Sequence, residues 1–426
     1  MKLSEKSKQV PILIIIISLF WANLRSSIVV SPYKDLIVWN GFAAIEISFW
    51  FLAGGLAWWV LWREGLWRVY LQIFKINWLV IVFCAFAVVS IAWSVYAMAT
   101  LYRALLLIFS TLIGAYIGVR YSINEIINIL FLFGIVVVVI CLGSAMLIPD
   151  LGVSKFYGGA WRGIFWHRNH LGTIMALLNS VFLVKMLSDF REKKIYLKWG
   201  SFGFYMLSVL LIYFAHSATG YILFGLLNIL ALIFLIWLKI RHLMKPSYYY
   251  TFCAFSLMLL FFLMNNLDDF FKIFNRDISL TGRVPMWGYL IREVISENLW
   301  IGSGFGALWT IRDFRLNVAQ NVGWKSQVVI GDNGFLDILL HLGVIGLIIF
   351  ILIIFSMLFR SLRYTYQKND LAAMFPVLLM VFALVANISF SLFLELECFV
   401  WLVMVAVWFS VTLELNKDHL PLRQSQ

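Results

Sequence analysis

The stretch GDNGFLDILLHLGVIGLIIFILIIFSMLF (Gly331–Phe359) joins a short polar segment to a long apolar run, and it decides the fold. A helix that crosses a membrane needs about 20 predominantly apolar residues, and the run from 333 to 359 meets that length. Ahead of it, Asp268–Lys325 interrupts a series of apolar segments with a long loop rich in Arg and Trp. The sequence therefore predicts membrane helices with one large loop, and chemistry is expected in that loop.

The composition agrees with a membrane protein, because 63% of the residues are hydrophobic and only 13% are charged. The pattern predicts an all-α, polytopic integral membrane protein with about twelve transmembrane helices. Residues 1–266 are expected to hold helices one to nine, residues 267–332 the large extracytoplasmic loop, and residues 333–426 helices ten to twelve with a cytoplasmic tail. The predicted spans are 10–30, 36–61, 77–96, 101–119, 126–148, 170–188, 199–216, 218–238, 250–266, 333–359, 371–391 and 393–413.

The distribution of Lys and Arg sets the predicted orientation. Most of them fall in alternate connecting segments, which the positive-inside rule assigns to the cytoplasm, so both termini are expected there. The net charge of +12 is then a topology signal and does not indicate nucleic-acid binding. The first apolar segment, Val10–Trp21, lacks a clear cleavage site and is interpreted as a retained first helix.

Two predicted outer loops carry cations against this trend. The short loop Pro149–Gly172 contains Lys155, Arg162, His167, Arg168 and His170. Long loops escape the positive-inside rule but short ones do not, so this charge needs a reason. A cationic pocket recruits an anion, and the planar fork of Arg favours phosphate. The alternative is that these side chains anchor the protein at lipid headgroups.

Within the large loop, TGRVPMWGYLIREVISEN (Thr281–Asn298) is predicted to form an amphipathic helix lying on the bundle. Its apolar face is expected to contain Val284, Trp287, Leu290, Ile291, Val294 and Ile295. Arg283 stands at the N-terminal end, where its guanidinium and the free backbone N–H groups favour an anion. Alternatively, Arg283 caps the helix or pairs with an acid such as Asp277.

Asp332 and Asn333 directly precede the tenth span. A carboxylate at the mouth of a membrane cavity can accept a proton from an acceptor hydroxyl, and loss of solvent raises its basicity. The competing interpretation is that Asp332 or Asn333 is the N-cap of the helix. Both interpretations stay open at the level of the sequence.

No metal centre is predicted. The four cysteines lie singly in apolar runs without CxxC spacing, and the pair His167 and His170 lacks a third ligand. Glu46 lies near the middle of the second span, where an acid is costly in lipid, so it is expected to face the bundle interior.

Several motifs together resemble the O-antigen ligase and polysaccharide polymerase family of bacterial envelope proteins, and they are closest to its exopolysaccharide polymerase branch. The motifs cover most of the chain: GAYIGVRYS (Gly114–Ser122), GGAWRGIFWHRNHLG (Gly158–Gly172), HSATG (His216–Gly220), TGRVPMW (Thr281–Trp287), ENLWIGSGFGALW (Glu297–Trp309) and DNGFLDILLHLGVIG (Asp332–Gly346).

The resemblance implies a metal-independent membrane glycosyltransferase without a cofactor, located in the bacterial cytoplasmic membrane. Its relatives take a glycan from undecaprenyl pyrophosphate and join it to a sugar hydroxyl of an acceptor glycan. Arginines hold the pyrophosphate, and a His at the start of the span after the large loop is the proposed base. In this sequence Asp332 stands where that His is expected, and Ser217–Gly220 replaces the SRG motif of the ligases.

The motifs assign candidate residues to this chemistry. Arg283 and Asp332 are the predicted catalytic pair. The residues predicted to bind substrate are Arg162, His167, Arg168, Asn169, His216, Trp287 and Asn333.

The departures at Asp332 and at Ser217–Gly220 make a polymerase for exopolysaccharide, capsule or O-antigen the preferred function. An O-antigen ligase acting on lipid A core and a lipid-linked oligosaccharide flippase or exporter are the alternatives. A non-catalytic assembly subunit is a further alternative. Expected partners are the undecaprenyl-pyrophosphate-linked glycan, the acceptor glycan, membrane lipid and a chain-length regulator protein.

Overall fold

A computed structural model describes residues 15, 18–19, 41–192, 195–240, 251, 283–324, 328–392 and 399–417. These residues are mostly helical, and a two-stranded antiparallel sheet, β1 (Val153–Ser154) and β2 (Ala160–Trp161), lies in the short loop. The helices are α1 (Gly41–Arg63), α2 (Trp67–Ile76), α3 (Trp78–Val89), α4 (Ala97–Arg120), α5 (Ile123–Leu147), α6 (Arg168–Arg191), α7 (Ile195–Ala215), α8 (Ala218–Ile240), α9 (Arg283–Tyr289), α10 (Arg312–Asn321), α11 (Gly334–Gln367), α12 (Phe375–Ser389) and α13 (Phe399–Leu415).

The predicted polytopic, all-α fold is confirmed. Seven helices are long and apolar enough to cross a membrane, or eight if the bent pair Trp67–Ile76 and Trp78–Trp93, with an angle of 82°, is one span. The shorter apolar helices Trp199–Ala215 and α13 match two further predicted spans. The predicted spans 10–30 and 250–266 lie outside the described residues apart from isolated positions, and the total of twelve stays a prediction.

The bundle is built around α13, in which every residue from Phe399 to Leu413 is buried. A helix that is apolar on all sides is suited to the centre of a membrane bundle, where neighbouring helices cover it completely. It packs against α4, and α6 packs against α7 and α8. Glu46 is 3% exposed and accepts a hydrogen bond from Tyr102, so the prediction that it faces the interior is confirmed.

Basic residues from the predicted cytoplasmic segments gather at the end of the bundle opposite the large loop. Arg120, the last residue of α4, lies 2.7 Å from Glu64. At the same end Lys368, which follows α11, lies 3.2 Å from Glu414 on α13. Because α4 has 24 residues and rises about 1.5 Å per residue, Arg120 lies roughly a membrane thickness away from the first residue of α4.

The long helix α11 is broken at Gly343, whose φ of 64° is left-handed. The loop segment Leu299–Gly304 inserts at this break: the N–H groups of Ser303 and Gly304 donate to the carbonyls of Leu340 and His341, each at 3.0 Å. These bonds satisfy carbonyls that the broken helix leaves without a partner, which is essential where water is scarce. The break thus separates a short first segment, 334–342, from the rest of α11.

The large loop has a small core of its own. Its described part contains a helical rod in which α9 continues as a π-helix, Leu290–Val294, and a 3-10 helix, Ile295–Asn298. This rod packs against α10 and the first segment of α11. The buried members of this core are Met286, Leu290, Ile295, Leu308, Trp309, Val318, Ala319, Val328, Leu336 and Leu340.

The predicted apolar face of that rod is partly wrong. Leu290 and Ile295 are buried as expected, but Val284 and Ile291 are 49% and 51% exposed, and Met286 is buried instead. The π-helix widens the turn, so the buried positions run 286, 290 and 295. A regular spacing of 3.6 residues per turn does not reproduce that register.

Candidate functional site

The centre of the candidate site is an ion pair between α9 and the segment that precedes α11. Nε of Arg283 lies 2.9 Å from Oδ2 of Asp332, and the two side chains are only 12% and 21% exposed. Asn333, not Asp332, is the N-cap, because its side-chain oxygen accepts from the N–H groups of Phe335 and Leu336 at 3.1 Å. The carboxylate of Asp332 is therefore not used for capping.

Burial and charge act on Asp332 in opposite directions. Loss of solvent raises the pKa of its carboxyl above the ordinary value, and the charge of Arg283 with its hydrogen bond offsets part of that rise. A carboxylate held in this way is a stronger base than one in water. Its backbone φ of 51° is left-handed, which is uncommon for a residue other than glycine and marks a position that its surroundings fix.

Trp287 joins the same two elements a second time. Its indole Nε1 donates to the carbonyl oxygen of Gly331 at 2.8 Å, one turn along α9 from Arg283. The ring is half-buried, so one part of it packs in the loop core and another faces outward. The predicted role of Trp287 in substrate binding stays a prediction.

The start of α6 carries the second group of predicted residues. His167 is its N-cap, and Nδ1 of the imidazole accepts from the N–H of Asn169 at 3.1 Å. Arg168 donates from Nη1 to the carbonyl of His216 at 3.1 Å and lies 4.6 Å from the centre of the Tyr157 ring. The motif residues of the short loop and of the α7–α8 turn are thus in direct contact.

The charges that act on His167 come from both loops. Burial, together with the charges of Arg168 and Arg283, lowers the pKa of its imidazole to about 3. Arg283 therefore lies within electrostatic range of the start of α6. Since Nδ1 accepts a hydrogen bond, the neutral ring carries its proton on Nε2, which makes it a donor suited to an anion.

Arg162 has a different environment. Its Nε and Nη2 donate to the carbonyls of Leu151 and Asp150 at 2.9 and 3.3 Å, so the guanidinium fastens the loop around β1 and β2. Its predicted part in substrate binding remains a prediction. Among the described residues, no group of three His, Cys, Asp or Glu side chains is placed to hold a metal ion.

Sequence reasoning did not connect three side chains that lie behind the pair, Asp337, Trp309 and Ser391. Asp337 is 2% exposed and accepts from Trp309 Nε1 at 2.8 Å and from the hydroxyl of Ser391. The spacing of Asp337 one turn beyond Asn333 was a visible signal. Nothing local in the sequence connects Ser391 or Trp309 to it, because 54 and 28 positions separate them from Asp337.

The fold and site define a multi-pass membrane protein with a loop-built site of Arg, His and Asp side chains at one end of its bundle. Residues 203–351 match the family model described as O-antigen ligase. That segment includes α8, the large loop and much of α11, and the match supports the predicted resemblance to the O-antigen ligase and polymerase family. The exopolysaccharide branch stays a prediction. The family comprises ligases and polymerases that act on lipid-linked glycans. No curated protein matches the chain.

Proposed function

We propose that the protein is a polysaccharide polymerase that joins undecaprenyl-pyrophosphate-linked repeat units to a sugar hydroxyl at the outer face of the cytoplasmic membrane. The observation that carries this proposal is the Arg283–Asp332 pair, a cation and a potential base 2.9 Å apart in a largely buried site. Arg168 and His167 add a second cation and a neutral N–H donor on the adjoining loop. Glycosyl transfer requires stabilisation of the negative charge on the leaving group and removal of the proton from the acceptor hydroxyl.

The reaction can be written for these residues. The acceptor hydroxyl oxygen attacks the anomeric carbon of the lipid-linked glycan, and the bond between that carbon and the pyrophosphate oxygen breaks. The hydroxyl proton passes to Asp332, and the electron pair of the broken bond leaves with undecaprenyl pyrophosphate. Arg283 and Arg168 stabilise the negative charge that develops on the leaving oxygen, and fixed donors act most strongly where water is excluded.

The ion pair also provides an order of events. In the free protein Arg283 neutralises Asp332. A bound pyrophosphate competes for the guanidinium, because its oxygens match the planar fork of Arg. As Arg283 turns toward the pyrophosphate, Asp332 loses part of its counter-charge and becomes more basic. Donor binding thereby activates the base, and an empty site keeps it paired.

The rival functions differ in what they require of the site. A ligase uses the same donor but a lipid A core acceptor, and the description of the matched family keeps it as the second candidate. A flippase needs cations along a path through the membrane. Among the described spans, Arg103 and Arg168 lie near the loop end, and Arg120 and Arg360 lie toward the other end. These four cations therefore lie toward the ends of the spans, which favours an enzyme over a flippase.

The proposed orientation is tested with a cysteine at Asn317. This residue is exposed on α10 in the large loop. Asn317→Cys is expected to react with a membrane-impermeant maleimide added to intact cells, whose outer membrane has been permeabilised where one is present. The parent protein, which has the same four native cysteines, serves as the control, and its labelling is subtracted. Labelling only after the cytoplasmic membrane is disrupted would reverse the arrangement.

The proposed activity is tested with purified protein and lipid-linked repeat units extracted from cells that lack it. Products with two or more repeat units are expected, with equal yield when EDTA removes divalent metal, because Arg side chains supply the positive charge. Loss of product with EDTA and its return with Mg²⁺ would overturn metal independence. Transfer only to added lipid A core would select the ligase, and movement of the lipid between leaflets without new glycosidic bonds would select the flippase.

A further inference from the structure

We propose that Asp337 is a positioning residue that, with Ser391 and Trp309, holds Asp332 in the geometry needed for proton transfer. This inference rests on the proposed function, because it takes Asp332 as the base. The side chain of Asp337 is buried. It acts on the backbone on both sides of Asp332.

The residue before Asp332 is fixed from two directions. The backbone N–H of Gly331 donates to Asp337, and a side-chain carbon at Gly331 would lie 2.5 Å from Oδ1 of Asp337. A side chain at this position would force the carboxylate of Asp337 to move. On the other side the carbonyl of Gly331 accepts from Trp287 at 2.8 Å. The peptide that leads into Asp332 is therefore held between α9 and α11.

The residue after Asp332 is fixed through Ser391. The N–H of Asn333 donates to Oγ of Ser391 at 3.0 Å, and the Ser391 hydroxyl donates to Oδ2 of Asp337. Ser391 follows α12, so the third wall of this arrangement comes from a different part of the bundle. One carboxylate thus connects to the chain on both sides of Asp332.

Trp309 completes the coordination of Asp337. Its Nε1 donates to Oδ1 at 2.8 Å, and the indole is 2% exposed within the loop core. With donors on both oxygens, Asp337 is oriented by hydrogen bonds and cannot rotate without losing one. Buried polar groups of this kind are stable only when they are fully paired, so each member constrains the others.

The conformation of Asp332 explains what these contacts are for. A left-handed backbone conformation is unfavourable for a residue other than glycine and persists only where neighbouring contacts fix it. The same backbone turn directs the carboxylate of Asp332 to Arg283. If the turn relaxes, the carboxylate moves away from both the guanidinium and the acceptor site, although the residue itself is unchanged.

The inference is tested with Asp337→Asn, Ser391→Ala and Ser391→Thr in the polymerisation assay. In Asp337→Asn the amide nitrogen cannot accept from Ser391, and kcat is expected to fall by about 10²-fold, as a displacement of about 1 Å produces, with the KM for the lipid-linked donor little changed. Ser391→Ala is expected to behave similarly and Ser391→Thr, which keeps the hydroxyl, to restore the rate. Ser296→Ala, at an exposed loop serine whose hydroxyl donates to the carbonyl of Arg292, is the matched control.

Two measurements separate positioning from a loss of folded protein. The low-pH limb of kcat is expected to shift in Ser391→Ala because the surroundings of Asp332 change, whereas a smaller folded fraction lowers the rate equally at every pH. In Asp332→Asn/Asp337→Asn the loss is expected to be no larger than in Asp332→Asn alone, since Asp337 acts through Asp332. A loss of rate in the double variant that equals the product of the two single losses would overturn the inference.

The outcomes also distinguish this inference from the proposed function. If Asp332→Asn is slow and a folded Asp337→Asn has the normal rate, only the positioning role is wrong. If Asp332→Asn itself has the normal rate, Asp332 is not the base and both proposals fail. Should Asp337→Asn not fold, the Ser391 pair decides: equal rates for Ala and Thr overturn the inference, and rescue by Thr supports it.

Discussion

Arg283→Lys is expected to lower polymer formation by about 10²- to 10³-fold, the loss typical of removing one donor that stabilises an oxyanion. Lys keeps the positive charge but loses the planar fork that donates two parallel hydrogen bonds to a phosphate. Its single ammonium is also expected to hold Asp332 less rigidly than Nε does at 2.9 Å. The measurement is the initial rate of repeat-unit transfer by the purified variant, with the folded fraction checked by thermal unfolding in detergent.

Arg292→Lys provides the matched control for Arg283→Lys. Arg292 lies on the same helical rod, is exposed, and donates from Nε to the carbonyl of Gly288 at 3.2 Å. It is expected to keep the rate of the parent protein. A normal rate in Arg283→Lys would show that this guanidinium does not stabilise the leaving group. Equal losses in both variants would indicate a general effect on the loop.

The sequence predicts the fold well because its strongest signal, the length of the apolar runs, is local. Each predicted span between 101 and 238, for example, coincides with a helix to within a few residues. The break at Gly343 was not predicted, since it depends on N–H groups of Ser303 and Gly304 that the large loop supplies. A pattern of apolar residues does not report contacts between segments this far apart.

The candidate site was predictable in composition and less so in geometry. Arg283, Asp332 and Asn333 were all candidates from the sequence, but the sequence left the cap and the acid partner of Arg283 open. The structure assigns Asn333 to the cap and Asp332 to the pair. Arg162 was grouped with Arg168 because both are cations in one short loop, yet its nitrogens face carbonyls of that loop. Side-chain direction, which decides such cases, is set by tertiary packing.

Asp332→Asn is expected to keep donor binding and to slow turnover by about 10²- to 10⁴-fold, the usual contribution of a positioned general base. Asn is nearly isosteric and tolerates the left-handed backbone at this position, so the turn is expected to persist. The amide can still contact the substrate but cannot take the hydroxyl proton. Binding of the extracted lipid-linked glycan and single-turnover transfer are measured separately, with Asp313→Asn, an exposed loop acid at the start of α10, as the control.

The pH dependence of kcat gives the sharper test of the base. Asp332 must be deprotonated to accept a proton, and burial raises its pKa, so activity is expected to fall with decreasing pH at a value above that of an ordinary carboxyl, about 4. This limb is expected to disappear in Asp332→Asn. In Asp332→His, which installs the residue that the family resemblance implies, a limb nearer the ordinary imidazole pKa of about 6.5 is expected, because the ring then carries the proton. An unchanged limb in both variants would assign the proton transfer to another group and reduce Asp332 to a partner of Arg283.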